Sequence, residues 1–132
     1  MPADVIRWSN GRALVATGSP YEPVVFEGKT RTIGQGNNAF VFPGLGFGAL
    51  VTRATKITDG MVAEGAHALA AYTIEHYPGE LYPPVEALHD ASEHVALRVA
   101  KRAIADGVAR VTDRAKLESE LRAAAWIPAY PG

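Results

Sequence analysis

The 132 residues predict an α/β fold, in the form of the C-terminal, trailing portion of a larger α/β domain: one or two strands plus a hairpin, followed by about four helices. Three observations carry that expectation. Apolar residues make up 48% and charged residues 20%, with mean hydropathy near zero, a balance that can bury a core. The chain changes character near Asn38, from short β-type runs between turn residues to long helical periodicity. A single buried strand cannot make a sheet alone, and a parallel strand needs neighbours on both sides and helices on both faces. The expected organisation is one partial domain over 1–132, with a strand and hairpin part over 1–38 and a helical part over 39–132.

Taken in order, Arg12–Thr17 (RALVAT) reads as a buried strand of about 5–6 residues. Val24–Glu27 and Thr30–Ile33 flank Gly28-Lys29, the pattern of a hairpin. Ala39–Arg53 is apolar all round and predicts a buried helix. Pro43 fits only its first turn, so regular helix is expected from Phe42. Thr58 is a candidate N-cap for a helix to His76, with Met61, Gly65, Ala68, Leu69 and Tyr72 on one face. Tyr77–Pro84 carries three prolines and a glycine and reads as a loop. Val85–Asp106 is the longest predicted helix, with Leu88, Ser92, Val95, Val99 and Ala103 as its buried stripe and Gly107 as its stop. Thr112 caps a last helix to Ala125, with Leu117, Leu121 and Ala124 on one face and Glu118–Arg122 as an i, i+4 pair.

Composition excludes several classes of function. Thirteen basic against fourteen acidic residues give a formal charge of −1, so there is no electrostatic basis for a nucleic-acid or anionic-membrane partner. The absence of cysteine removes disulfide scaffolds, thiolate metal sites and cysteine nucleophiles. The start, Met1-Pro2-Ala3-Asp4, lacks the pattern of a signal peptide, and the longest apolar stretch, Ala39–Val51, is shorter than the roughly 20 residues of a membrane span. A soluble, cytoplasmic protein is expected.

Few residues offer chemistry. Gly34-Gln35-Gly36-Asn37-Asn38-Ala39 matches G-x-G-x-x-A, and Asp59 lies 20 residues beyond Ala39, where a dinucleotide fingerprint places its ribose-binding acid. The fingerprint requires a preceding buried strand. Here a polar hairpin arm precedes it, and Asp59 follows a helix cap, so the match is read as false. Asn37 and Asn38 remain, with two readings open: an asparagine cap and turn, or amides that orient a carboxylate or carboxamide at a helix start. Gly18-Ser19-Pro20 ends a strand, which is either a turn or the kind of position where α/β sheets bind ligands. Asp90 and His94 share a helix face at a spacing that can hold a metal, but no third ligand accompanies them, nor do His67, His76 and His89 form a zinc motif. There is no G-x-S-x-G, P-loop or candidate triad, so no catalytic residue is assigned.

Four blocks of wording resemble the malic enzymes. Trp8–Pro20 (WSNGRALVATGSP) is similar to that family's W-[TS]-x-G-R-x-L-x-A-[ST]-G-S-P segment, and Gly34–Gly46 (GQGNNAFVFPGLG) to its G-Q-x-N-N-x-x-x-F-P-G block. Ile57–Met61 resembles the next helix start, and Leu81–Pro84 the Y-P-P before a long helix. The resemblance implies the C-terminal portion of a Rossmann-like NAD(P)-binding domain. It implies an enzyme that oxidises and decarboxylates L-malate to pyruvate with NAD or NADP and Mg²⁺ or Mn²⁺. Asn37 matches the asparagine near the nicotinamide, Asn38 the one on the malate carboxylate, and Gly18 and Ser19 the turn beside the cofactor. The family's catalytic tyrosine and lysine, its metal-binding acids and its glycine fingerprint match nothing here. The expectation is therefore a C-terminal fragment that holds substrate-positioning residues and is inactive alone. The alternative is a non-catalytic assembly or binding module that forms a homo-oligomer or complements a partner chain.

Overall fold

In the computed structural model, residues 1–124 are described. The chain opens with a helix that the sequence pattern did not announce, α1 (Pro2–Trp8), with proline in its first turn, where a missing N–H costs nothing. It ends in a Schellman arrangement, Gly11 N–H to Ile6 O (2.8 Å) and Asn10 N–H to Arg7 O (3.0 Å), with Asn10 and Gly11 both at positive φ. Gly11 has a further reason to be glycine: a Cβ there would lie 2.9 Å from the Phe26 ring. That contact seats α1 on the hairpin.

The expected Arg12–Thr17 strand is reduced to β1 (Ala16–Thr17), and Leu14 is 57% exposed rather than buried. Among the described residues β1 has one neighbour only, so the upstream run finds no ladder there to join. The hairpin is present as β2 (Val24–Phe26) and β3 (Lys29–Arg31), paired antiparallel with Val24 opposite Arg31. Its turn is Glu27-Gly28, one residue earlier than expected, with φ of +49° and +72°. Two successive positive φ values match the strand twist that tight hairpins need. A fourth strand, β4 (Gly34–Gln35), runs parallel to β1, with Ala16 opposite Gly34 and Thr17 opposite Gln35.

A short 3₁₀ turn, Asn38–Phe40, leads into α2 (Phe42–Val51), which begins at Phe42 with Pro43 in its first turn as expected. α2 is not buried all round, however. Gly44, Leu45 and Gly48 are buried, while Phe42 is 61% and Leu50 75% exposed. α3 (Asp59–His76) has the predicted bounds; Thr58 Oγ1 accepts the Met61 N–H (3.1 Å), and Met61, Gly65, Ala68, Leu69 and Tyr72 are all buried. After the loop, a 3₁₀ turn (Val85–Ala87) precedes α4 (Leu88–Ala105), equal to α3 in length. Its buried stripe runs through Ala91, Val95, Ala96, Val99, Ala100 and Ala103, whereas Leu88 and Ser92 are only partly covered. Gly107 at φ +69° closes α4 in a second Schellman pair, Val108 N–H to Ala103 O and Gly107 N–H to Ile104 O, both 3.1 Å. α5 (Arg114–Ala124) packs Leu117 and Leu121 on Ala96 and Ala100, and Glu118 meets Lys101 of α4 (3.8 Å) rather than Arg122. Ala125 lies outside the described residues. No described helix is long and apolar enough to cross a membrane.

The helical layer is set by α2 lying directly on α4. A Cβ at Gly48 would be 2.6 Å from Ala96 O, and one at Gly44 2.6 Å from Val95 Cβ. Gly48→Ala must push the two backbones apart, an overpacking cost of about 1–3 kcal/mol. Gly46 has nothing within 4 Å of its Cβ position, so Gly46→Ala is expected to gain up to about 1 kcal/mol from helix propensity. Urea unfolding of the two variants should show opposite shifts of the midpoint.

Candidate functional site at the strand ends

The parallel pairing of β1 and β4 brings the sequence-predicted residues together. Gly34 N–H donates to Val15 O (2.9 Å) and Gly36 N–H to Thr17 O (2.8 Å), so both strands finish side by side. Gly18-Ser19 leaves one carboxyl end and Gly36-Asn37-Asn38 the other, the position where open α/β sheets bind ligands. All four of Gly18, Ser19, Asn37 and Asn38 are exposed there.

Each element of this corner has a local cause. Thr17 Oγ1 donates to Ser19 O (2.7 Å) and folds the chain back after β1. Gly18 has no positive φ, and a Cβ on it would meet nothing within 4 Å, so nothing in the packing of the described residues demands glycine. Asn37 is the N-cap of the 3₁₀ turn: its Oδ1 accepts the Ala39 N–H (2.9 Å). Its amide oxygen is thereby engaged, which leaves the NH₂ as a donor toward solvent. The Asn38 side chain has no hydrogen-bond partner among the described residues. The pair thus presents donors, suited to a carboxylate or to the carbonyl of a carboxamide. It forms the cap and first residue of a 3₁₀ turn and is not directly at the start of α2, whose N-cap is Val41. Beside it, a cleft of about 290 Å³ is walled by Pro20, Tyr21, Tyr77, Tyr82 and Pro83.

The G-x-G-x-x-A match does not have fingerprint geometry. Gly34 and Gln35 are themselves strand residues, and Asp59 is the first residue of α3. Among the described residues, no group of three or more His, Cys, Asp or Glu side chains lies close enough to hold a metal ion. Asp90 and His94 do share a polar cavity of about 310 Å³, with Tyr72, His76, Glu93 and Arg122. Burial, and then the Arg98 charge, lower the His94 pKa from its ordinary value, and His94 Nε2 is enclosed without a hydrogen-bond partner among the described residues. Tyr72 stacks on His76 at 4.3 Å, and burial raises its pKa. Sequence spacing had singled out Asp90 and His94 but gave no signal for the Tyr72–His76 stack. At the far end of α3, hydrogen bonds from Thr58 and Arg102 lower the pKa of Asp106.

Two parallel strands ending on a polar corner, with helices packed behind, define part of a Rossmann-like α/β nucleotide-binding domain. The family described as "Malic enzyme, NAD binding domain" matches residues 1–104, and the chain belongs to it. Among curated relatives, the NAD-dependent malic enzymes of Aliivibrio fischeri and Vibrio parahaemolyticus are 46% and 48% identical over 132 residues. Each match covers 98% of this chain and 23% of the relative. A crystal structure of Entamoeba histolytica malic enzyme superposes with a TM-score of 0.67 at 32% identity, covering 88% of this chain and 24% of that one. The chain therefore spans about a quarter of the length of the relatives it matches.

A lowered histidine pKa means that protonation opposes folding. Stability tied to His94 is complete above the unfolded value, near 6.5, and is lost as pH falls through that value toward the folded one. Unfolding midpoints should drop between pH 7.5 and 5.5, and His94→Leu should flatten that part of the profile.

Proposed function

We propose that this chain supplies the substrate-positioning corner of a malic enzyme, the oxidative decarboxylation of L-malate to pyruvate with NAD(P). The observation that carries the reading is the parallel β1–β4 register, which sets Gly18-Ser19 beside Asn37-Asn38 at adjacent carboxyl ends. In this reading Asn38, whose amide is uncommitted, donates to a malate carboxylate. Asn37, with its oxygen engaged on Ala39, donates to the nicotinamide carboxamide. Gly18, which no packing among the described residues requires to be glycine, leaves room for the cofactor at the strand end.

Hydride transfer needs malate and nicotinamide held in near-attack geometry, and holding both by fixed donors is a positioning contribution. Among the described residues no group of three His, Cys, Asp or Glu side chains fits the Mg²⁺ or Mn²⁺ of the reaction, and no step here runs through it. A cytoplasmic location suits the cysteine-free composition.

Two measurements test this. The isolated chain is expected to show no malate-dependent reduction of NAD or NADP with Mn²⁺ present. Grafted into the Aliivibrio fischeri enzyme in place of the matching segment, it should support turnover. Asn38→Ala should then lower kcat/KM for malate by roughly 10- to 150-fold, the loss of one charge-assisted hydrogen bond of about 1.5–3 kcal/mol. Turnover by the isolated chain that survives repurification and vanishes in Asn38→Ala would overturn the view that the corner needs a larger chain.

The exposure of Phe42 and Leu50 on α2, with the outer edges of the β1–β4 pair unpaired among the described residues, favours a second reading in which the chain also assembles with a copy of itself. A two-fold dimer through α2 or β1 is the simplest form, with the Val24–Ile33 hairpin as the element to be exchanged. Sedimentation at micromolar concentration should give a dimer; a clean monomer with slow amide exchange along Leu14–Ala16 removes this reading.

A further inference from the structure

We propose that Tyr82 is a positioning residue for the asparagine pair and that it acts through the glycine at position 36; the proposal rests on the roles given above to Asn37 and Asn38. The pair sits in the middle of the stretch Gly36–Phe40. One aromatic ring touches both ends of that stretch. A Cβ on Gly36 would stand 3.1 Å from Tyr82 Cε2 and 3.5 Å from Cζ. At the other end, Phe40 stacks on the same ring, with centroids 6.0 Å apart and planes at 22°.

The two contacts differ in kind, and together they fix the stretch. Phe40 is 2% exposed and belongs to the core shared by α2, α3 and α4, so its stack ties Tyr82 to the helical layer. Gly36 has no positive φ, so its backbone does not require glycine. What favours glycine there is the ring, which would have to give by a few tenths of an ångström to admit a Cβ. Asn37 and Asn38 are exposed between these two anchored points. Rotating either amide by way of the backbone means lifting Gly36 off the ring or unstacking Phe40.

The ring itself is presented rigidly. Tyr82 precedes Pro83-Pro84, which restricts its backbone to extended conformations, and the 3₁₀ turn Val85–Ala87 follows at once. The two nearest atoms are ring carbons, with the hydroxyl oxygen farther off at 3.7 Å, so phenylalanine should serve as well.

The test uses the graft in the Aliivibrio fischeri enzyme with steady-state kinetics. Tyr82→Ala is expected to raise the malate KM about 10-fold, since small misplacements of a positioned group cost one to two orders of magnitude. Tyr82→Phe should keep the parent value. Gly36→Ala should raise KM as well, and Gly36→Ala combined with Tyr82→Leu should recover part of that loss, because the two residues compete for one space. Leu121→Ala, a core truncation on α5 remote from the loop, serves as the stability control and should leave KM unchanged. An unchanged KM in Tyr82→Ala, alongside a raised KM in Asn38→Ala, overturns the positioning role while the asparagine reading stands. If neither variant moves KM, the asparagine reading falls, and the role of Tyr82 with it. Should the graft be inactive, ¹⁵N NMR of the chain itself decides. Tyr82→Ala should shift or broaden the side-chain amide signals of Asn37 and Asn38, with Tyr82→Phe leaving them in place. Signals unmoved by Tyr82→Ala overturn the proposal.

Discussion

The close approach of α2 to α4 governs the structure. Two glycines one turn apart, Gly44 and Gly48, let the α2 backbone descend until Ser92 O and Ala96 O lie where side chains would otherwise stand. Dispersion contacts multiply at that separation, and neither helix can slide without a clash. Everything else is hung from this pair. The N-terminal end of α2 receives the chain from the strand-end corner. Its C-terminal end stops at Thr52, whose carbonyl takes the N–H groups of Arg110 and Val111 (2.9 and 3.0 Å). The segment after α4 is thus pinned to the end of α2, and α5 covers α4 at Ala96 and Ala100, where Phe47 and Val51 of α2 pack against the same cluster.

How much of this is legible in the sequence depends on how local the cause is. α3 is written almost completely in its own residues: a threonine cap, an apolar face at i, i+4, i+7, i+8, and a loop rich in proline beyond it. The stop of α4 at Gly107 is equally local. β1 is different, because a strand exists only through a partner distant in sequence, and β4 offers two residues of pairing. The apolar run from Arg12 marks a potential for burial that these residues do not realise. α1 escapes notice because seven residues carry little periodicity, and its seat depends on Phe26 filling the space over Gly11. The hairpin turn is misread by one residue because Glu27, not a glycine or asparagine, takes the first positive φ.

The candidate corner is legible in a different sense. Spacing alone leaves Asn37 as either a cap or a ligand contact, and the geometry shows that these are not alternatives. The oxygen caps the turn and the nitrogen stays available, so one amide serves folding with one end and faces solvent with the other. Nothing in the residue order indicates that Gly36 is answered by a ring 46 positions later, because proximity across a fold leaves no local pattern. The resemblance of the Leu81–Pro84 block supplied its place in a family but no physical reason for its tyrosine.

The bond from Gly36 N–H to Thr17 O has a consequence for chain topology. It joins the two strand ends directly, so everything from Gly18 to Ile33, hairpin included, is a closed excursion whose ends are already fixed. The entropy of closing such an excursion grows only with the logarithm of its length. The spacing between the two arms of the corner is therefore insulated from the length of chain between them. Insertions and deletions among related sequences can accumulate around the hairpin tip at Glu27-Gly28 while the corner keeps its dimensions.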